Sequence, residues 1–202
     1  MKKRSKPTRK KSHLSKPVRK LSSPKGAAIF PGDRLRVVFT EKQIQKRVSE
    51  LAAQVNRDYQ GKTLHVIGIL ENCFLFMADL VRILNLPVIC HFLKAEIKDN
   101  STGAVAMREI VYTPKVEVAG KTVLLVDGIL QSGVTIDHLV RIMQAQQAES
   151  VCIAALIEKT DERKVDVSTE YVGFKTQEKF LVGYGLGFQE KYRNLPHIAT
   201  LS

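Results

Sequence analysis

The stretch that decides the fold is Val123-Leu-Leu-Val-Asp127-Gly-Ile-Leu-Gln131-Ser132-Gly133-Val134-Thr135. A short, almost wholly apolar run meets a turn of small polar residues, and an amphipathic run over 134–147 follows. The pattern predicts a strand entering a Ser-Gly-x-Thr turn that opens a helix. Such a turn aims free backbone N–H groups, hydroxyls and the positive end of the helix dipole at one spot. That spot lies outside the carboxyl end of the sheet, in the crevice where open α/β sheets take ligands. A phosphate monoester suits it. An ordinary strand–helix turn with Ser/Thr capping would carry the same residues.

Outward from this stretch, apolar strands alternate with helices. Residues 64–70 (LHVIGIL) read as a buried strand, 74–84 as a helix stopped before Leu86-Pro87, and 88–93 as a second strand. Residues 122–126 form the quoted strand, and 151–157 another. Upstream, Thr40-x-x-Gln43 is a capping box. Ile44, Val48, Leu51 and Val55 share one helical face, and Gly61 closes that helix. Short β-branched strands between helices predict a parallel sheet covered on both faces, an α/β fold. Residues 97–110 lack periodicity until 108–112, and their first part reads as a mobile loop.

The 202 residues suffice for one domain with a tail, and 44% hydrophobic with 26% charged residues excludes a wholly disordered chain. No apolar run reaches the roughly 18 residues of a spanning helix. Cys73, Cys90 and Cys152 sit in apolar stretches without CxxC spacing, which argues against a disulfide scaffold or zinc site and for a reducing, cytoplasmic setting. The net charge of +12 is concentrated at one end. Eleven Lys/Arg and no acid lie in 1–25, leaving 21 basic against 20 acidic residues beyond. With Pro7, Pro17 and Pro24, residues 1–33 read as a disordered basic tail and 34–202 as the folded domain. The tail suits nucleic acid or another polyanion; a solubilising tail without a specific partner fits equally.

The spacing of strand, acidic residue, Ser-Gly-x-Thr turn and helix resembles the PRPP-binding signature of type I phosphoribosyltransferases. The likeness runs from Val37 to Leu201 and is nearest to the hypoxanthine/guanine phosphoribosyltransferases. VVFTEKQIQKRVSELAAQVNRDYQGK (37–62) is similar to that family's N-terminal helix. RKVDVSTEYVGFKTQEKFLVGYGLGFQEKYRNLPHIATL (163–201) is similar at almost every position. The resemblance implies a type I phosphoribosyltransferase-like fold, a doubly wound, mainly parallel sheet with a small hood. It also implies a dimer or tetramer, PRPP or a purine nucleotide (IMP/GMP) as ligand, and Mg2+ if the chain is catalytically active.

Carried over residue by residue, the resemblance assigns the 5′-phosphate to Gln131, Ser132, Gly133, Val134 and Thr135. The purine falls to Lys159, through its exocyclic oxygen, to Phe180 by stacking and to the Leu181 backbone. Arg163 and Arg193 would stand near the pyrophosphate. Taken alone, Phe180 could be a core aromatic and Lys159 a surface lysine at a strand end. The acidic machinery departs from the family pattern. The paired carboxylates read Asp127-Gly128, leaving Asp127 as the remaining catalytic and metal-binding candidate. The aspartate that serves as acid/base is Gln131, and a carboxamide exchanges no proton at neutral pH. General acid–base help is worth on the order of 10²–10⁴ in rate. A magnesium-associated aspartate is replaced by Gly187. The pyrophosphate loop Leu-Lys-Gly reads Leu70-Glu71-Asn72, so Glu71 either opposes the ligand or turns to solvent. No Ser-Tyr pair occurs in 95–110, although Asn100-Ser101-Thr102-Gly103 resembles the later part of the family's mobile loop; the sequence leaves open whether another carboxylate, such as Asp99 or Glu109, replaces a lost ligand.

The expectation is a purine-nucleotide-binding relative with impaired or absent phosphoribosyl transfer. The alternative is a working salvage enzyme that converts PRPP and hypoxanthine or guanine to IMP or GMP and pyrophosphate. A third reading makes the domain a scaffold for nucleic-acid association.

Overall fold

The computed structural model describes residues 30, 32–99, 108–113 and 115–201. The basic segment 1–25 and Asn100-Ser101-Thr102-Gly103 lie outside the described residues, as do the side chains of Asp99 and Glu109.

Strand β1 (Leu35–Phe39) is followed by helix α1 (Glu41–Asp58). Thr40 caps α1: its Oγ1 accepts from Gln43 N–H at 3.4 Å, while Gln43 Oε1 accepts from Thr40 N–H at 2.9 Å. A cap of this kind stabilises by about 1 kcal/mol. Ile44, Leu51 and Val55 are fully buried on its inner face, and each such side chain contributes about 1.5–3 kcal/mol on burial. Then come β2 (Leu64–Leu70), α2 (Phe74–Ile83), β3 (Val88–Asp99), β4 (Arg108–Thr113), β5 (Thr122–Leu130), α3 (Val134–Ala145), β6 (Ser150–Glu158), β7 (Tyr171–Lys175), β8 (Leu181–Val182) and β9 (Ile198–Leu201).

The main sheet has the order β4-β3-β2-β5-β6-β7. All neighbouring pairs are parallel except β4 on β3. Alternation along β5 shows why both faces must be covered. Leu124 and Val126 enter a core with Leu51, Phe76 and Leu80 from α1 and α2, whereas Val123 and Leu125 pack with Ile136, Leu139 and Met143 of α3. The doubly wound fold expected from sequence is present.

Several boundaries differ from the sequence reading. β5 continues past 126 because Asp127, Ile129 and Leu130 remain paired with Ala155, Ile157 and Glu158. β3 likewise extends beyond 93 by pairing with β4. The helices read as 74–84 and 134–147 end earlier, at Ile83 and Ala145. Val37–Phe39, grouped with the N-terminal helix by resemblance, belongs to β1 and pairs with β9, completing a small antiparallel hood of order β1-β9-β8. Phe39 ties the hood to the main sheet by stacking on Phe174, 4.2 Å between ring centroids. Phe30 and Asp33 also meet the domain: the Tyr192 hydroxyl donates to Asp33, and Phe30 lies edge-on to the Tyr192 ring at 5.2 Å. Among the described residues, no helix is long and apolar enough to cross a membrane.

Candidate functional site

Parallel strands end on one side of the sheet, so the segments after β2, β5 and β6 converge there. After β5 the chain turns through Ser132 and Gly133 into α3. Gly133 has φ +81°, and a Cβ there would stand 2.9 Å from the Val165 carbonyl oxygen. Glycine is therefore required both for the left-handed backbone and for the close approach. Ser132 Oγ accepts from Val134 N–H at 3.4 Å, and the Ser132 carbonyl receives the N–H groups of Lys164 and Val165 at 3.0 and 3.1 Å. The turn encloses a recess of about 110 Å³ lined by Asp127, Gln131, Ser132, Gly133 and Thr135 among others. Val134 is not among its lining residues, and its N–H is turned to Ser132 Oγ.

A larger cavity of about 340 Å³ adjoins this recess through Ile129 and Gln131, which line both. Its walls include Asn72, Lys159, Phe180, Leu181 and Gly187. Lys159 is 2% exposed, and its Nζ donates to Glu162 Oε1 at 2.6 Å. Its sequence position at a strand end is confirmed, but the side chain is buried at the cavity rather than lying on the surface. Phe180 is 61% exposed, an unpacked aromatic face at the cavity rim, with Phe188 edge-on at 6.0 Å. It is not a core aromatic. Leu181 is buried and paired with Thr200 in the hood.

Asp127 lines the smaller recess, two residues before Ile129. Burial pushes its carboxyl up to about 7, opposed by hydrogen bonds from the backbone N–H groups of Ile129 and Gly128. The neighbouring position has no room for a second carboxylate. A Cβ on Gly128 would stand 2.4 Å from the Asn72 carbonyl oxygen. At Gly187 a Cβ would stand 2.9 Å from Cγ, Nε and Cζ of Arg193. Magnesium, implied if the chain is active, prefers one or two carboxylates together with substrate phosphates and water. The residues here meet only the lower end of that requirement: Asp127 remains, a backbone carbonyl fills the place beside it, and a guanidinium covers the other position.

The two arginines expected together stand apart. Arg193 reaches the loop after β2, donating to Glu71 Oε2 at 2.9 Å, Asn72 Oδ1 at 2.7 Å and the Gly185 carbonyl at 2.8 Å. Arg163 lies against the phosphate turn, its Nη1 3.1 Å from the Cβ position of Gly133, and Glu158 Oε1 accepts from it at 2.5 Å. Burial works against ionising Glu158, but hydrogen bonds from Arg163 and Lys175 outweigh it and hold the carboxyl below its usual range. Glu158 thus engages Arg163 beside Gly133, while Arg193 engages the Glu71–Asn72 loop. Glu71 is half exposed to solvent and at the same time pairs with Arg193. The peptide bond between Leu70 and Glu71 is cis.

Sequence reasoning missed Glu162, Glu158 and Gly185. The cluster of glycines in GYGLG was the available signal for Gly185, whose Cβ would stand 2.6 Å from the same Asn72 oxygen.

A family model described as "Phosphoribosyl transferase domain" matches residues 38–189. The chain belongs to the phosphoribosyl transferase domain family. Among the relatives of this phosphoribosyltransferase chain, a hypoxanthine-guanine phosphoribosyltransferase of Dictyostelium discoideum is 38% identical over 169 residues, 82% of this chain and 94% of its own length. One from Bacillus subtilis (strain 168) is 35% identical over 166 residues, 82% of this chain and 92% of its own. A crystal structure of a hypoxanthine-guanine phosphoribosyltransferase from Bacillus anthracis, with a HEPES molecule in its active site, superposes with a TM-score of 0.76 at 35% identity, covering 84% of this chain and 99% of that one.

Proposed function

We propose that this phosphoribosyltransferase-family chain binds a purine nucleoside 5′-monophosphate, IMP or GMP, and transfers phosphoribosyl groups weakly or not at all. The observation that carries this reading is the contrast between two neighbouring places. The phosphate turn keeps its glycine-dependent geometry, while the Asn72 carbonyl occupies the space beside Asp127 where a second carboxylate would stand. In this reading the 131–135 turn holds the phosphate with backbone N–H groups and the Ser132 and Thr135 hydroxyls. Lys159 exchanges Glu162 for the exocyclic oxygen of the base, Phe180 covers the purine face, and the Leu181 backbone meets the purine edge. Gln131 hydrogen-bonds without moving a proton, so the purine N7 loses its acid–base partner.

The active salvage enzyme remains the second reading, favoured by the names of relatives at 35–38% identity. There Asp127, poised near neutrality, would act without its former neighbour. Calorimetric titration with IMP and GMP, beside an assay for product from PRPP, magnesium and each purine, separates the two. Binding without turnover supports the first reading and ready turnover the second. We further assign the polyanion-binding role to the basic segment 1–25.

A further inference from the structure

Three cations around the cavity and the phosphate turn already hold a carboxylate of this chain. Lys159 holds Glu162 at 2.6 Å, Arg163 holds Glu158 at 2.5 Å and Arg193 holds Glu71 at 2.9 Å. The third pair stands on the Asn72–Gly187 wall, across the join from the phosphate turn. Arg193 is held there from three directions, by Glu71, Asn72 Oδ1 and the Gly185 carbonyl, while its stem covers Gly187. A ligand with one phosphate in the turn leaves this clasp intact. A ligand with a further anionic group along that wall meets an already engaged guanidinium and the Glu71 carboxylate.

We propose that Glu71 is a specificity-determining residue: by holding Arg193 it restricts the site to ligands with a single phosphate group and rejects those carrying a diphosphate along the Asn72–Gly187 wall. This rests on the reading that the 131–135 turn takes a 5′-phosphate. Glu71 is half exposed and lies outside the helices and strands, so a neutral isostere there perturbs little packing. In Glu71→Gln the negative charge is gone and Arg193 is released towards an incoming anion.

The test uses the full chain and three variants, Glu71→Gln, Arg193→Met and the double variant. Each is first titrated with GMP, then, saturated with GMP so that the turn is filled, with inorganic pyrophosphate. The wild-type chain binds GMP and takes pyrophosphate weakly. Glu71→Gln raises pyrophosphate affinity at least tenfold relative to GMP affinity, and the double variant loses that gain. Unchanged pyrophosphate affinity in Glu71→Gln, with GMP still bound, overturns the inference alone. A gain that persists in the double variant overturns the role of Arg193. A Glu71→Gln chain that no longer binds GMP also overturns the inference, because Glu71 would then build the site rather than filter its ligands. Absence of GMP binding in the wild-type chain overturns the underlying nucleotide reading.

Discussion

The Asn72 carbonyl oxygen fills the space into which a side chain on Gly128 would grow, 2.4 Å from the Cβ position. The same oxygen approaches the Cβ position of Gly185 to 2.6 Å. Two glycines thus hold one backbone carbonyl between β5 and the hood-side loop. Loss of the carboxylate at 128 and the altered 70–72 loop are one packing arrangement rather than two separate changes.

Gly128→Asp, which restores the family's paired carboxylates on paper, is therefore expected to destabilise the chain rather than revive it. The contact is with the Asn72 backbone, which cannot swing aside as a side chain would, so overpacking should cost about 1–3 kcal/mol. Urea unfolding checks this: a lower midpoint with an unchanged slope is the expected result.

Asp127 gives a pH signature. Its carboxyl is raised from 3.8 to about 7 in the folded chain by burial. Between those values the folded chain keeps a proton that the unfolded chain has lost, so the contribution is complete at low pH and disappears as pH rises through 7. Asp127→Asn should consequently be more stable than the wild-type chain at about pH 8, by about 2 kcal/mol after allowing for partial exposure. The advantage should vanish below about pH 4. Thermal melts of both proteins across this range provide the measurement.

Lys159→Met separates base recognition from phosphate recognition. Loss of a charged hydrogen bond to the base is expected to weaken GMP by about 1.5–3 kcal/mol, roughly ten- to a hundredfold. Ribose 5-phosphate, which lacks the base, should bind the variant and the wild-type chain alike. Parallel titrations with the two ligands read the difference.

Deletion of 1–25 removes eleven cations. Retention on RNA or DNA should be lost, together with its steep dependence on salt, while GMP affinity stays the same. Retention that survives the deletion places polyanion binding in the folded domain. A salt series on an immobilised nucleic acid measures it.

Much of this architecture can be read along the chain because its causes are local or periodic. The alternation of Val123, Leu124, Leu125 and Val126 dictates a sheet covered on both faces, and Thr40 with Gln43 marks the start of α1. Ser132-Gly133 announces the turn because glycine is needed at that backbone angle. What escaped depends on contacts between distant segments. Glu71 has a sequence-visible charge, but its partner Arg193 lies 122 residues away. Arg163 has a nearby competitor in Glu158, yet which anion it chooses depends on the packing of β6 and β7. Leu35–Phe39 has too short an apolar run to reveal a strand until β9 is brought alongside it.

The most direct test is the rate of IMP and GMP formation by the unaltered chain supplied with PRPP, magnesium and hypoxanthine or guanine, measured beside a hypoxanthine-guanine phosphoribosyltransferase such as that of Bacillus subtilis. A rate lower by a factor on the order of 10² or more, in protein that binds GMP, is the expected outcome for a site without its acid–base aspartate. Turnover equal to that of the relative would contradict a phosphate cradle stripped of its catalytic acids.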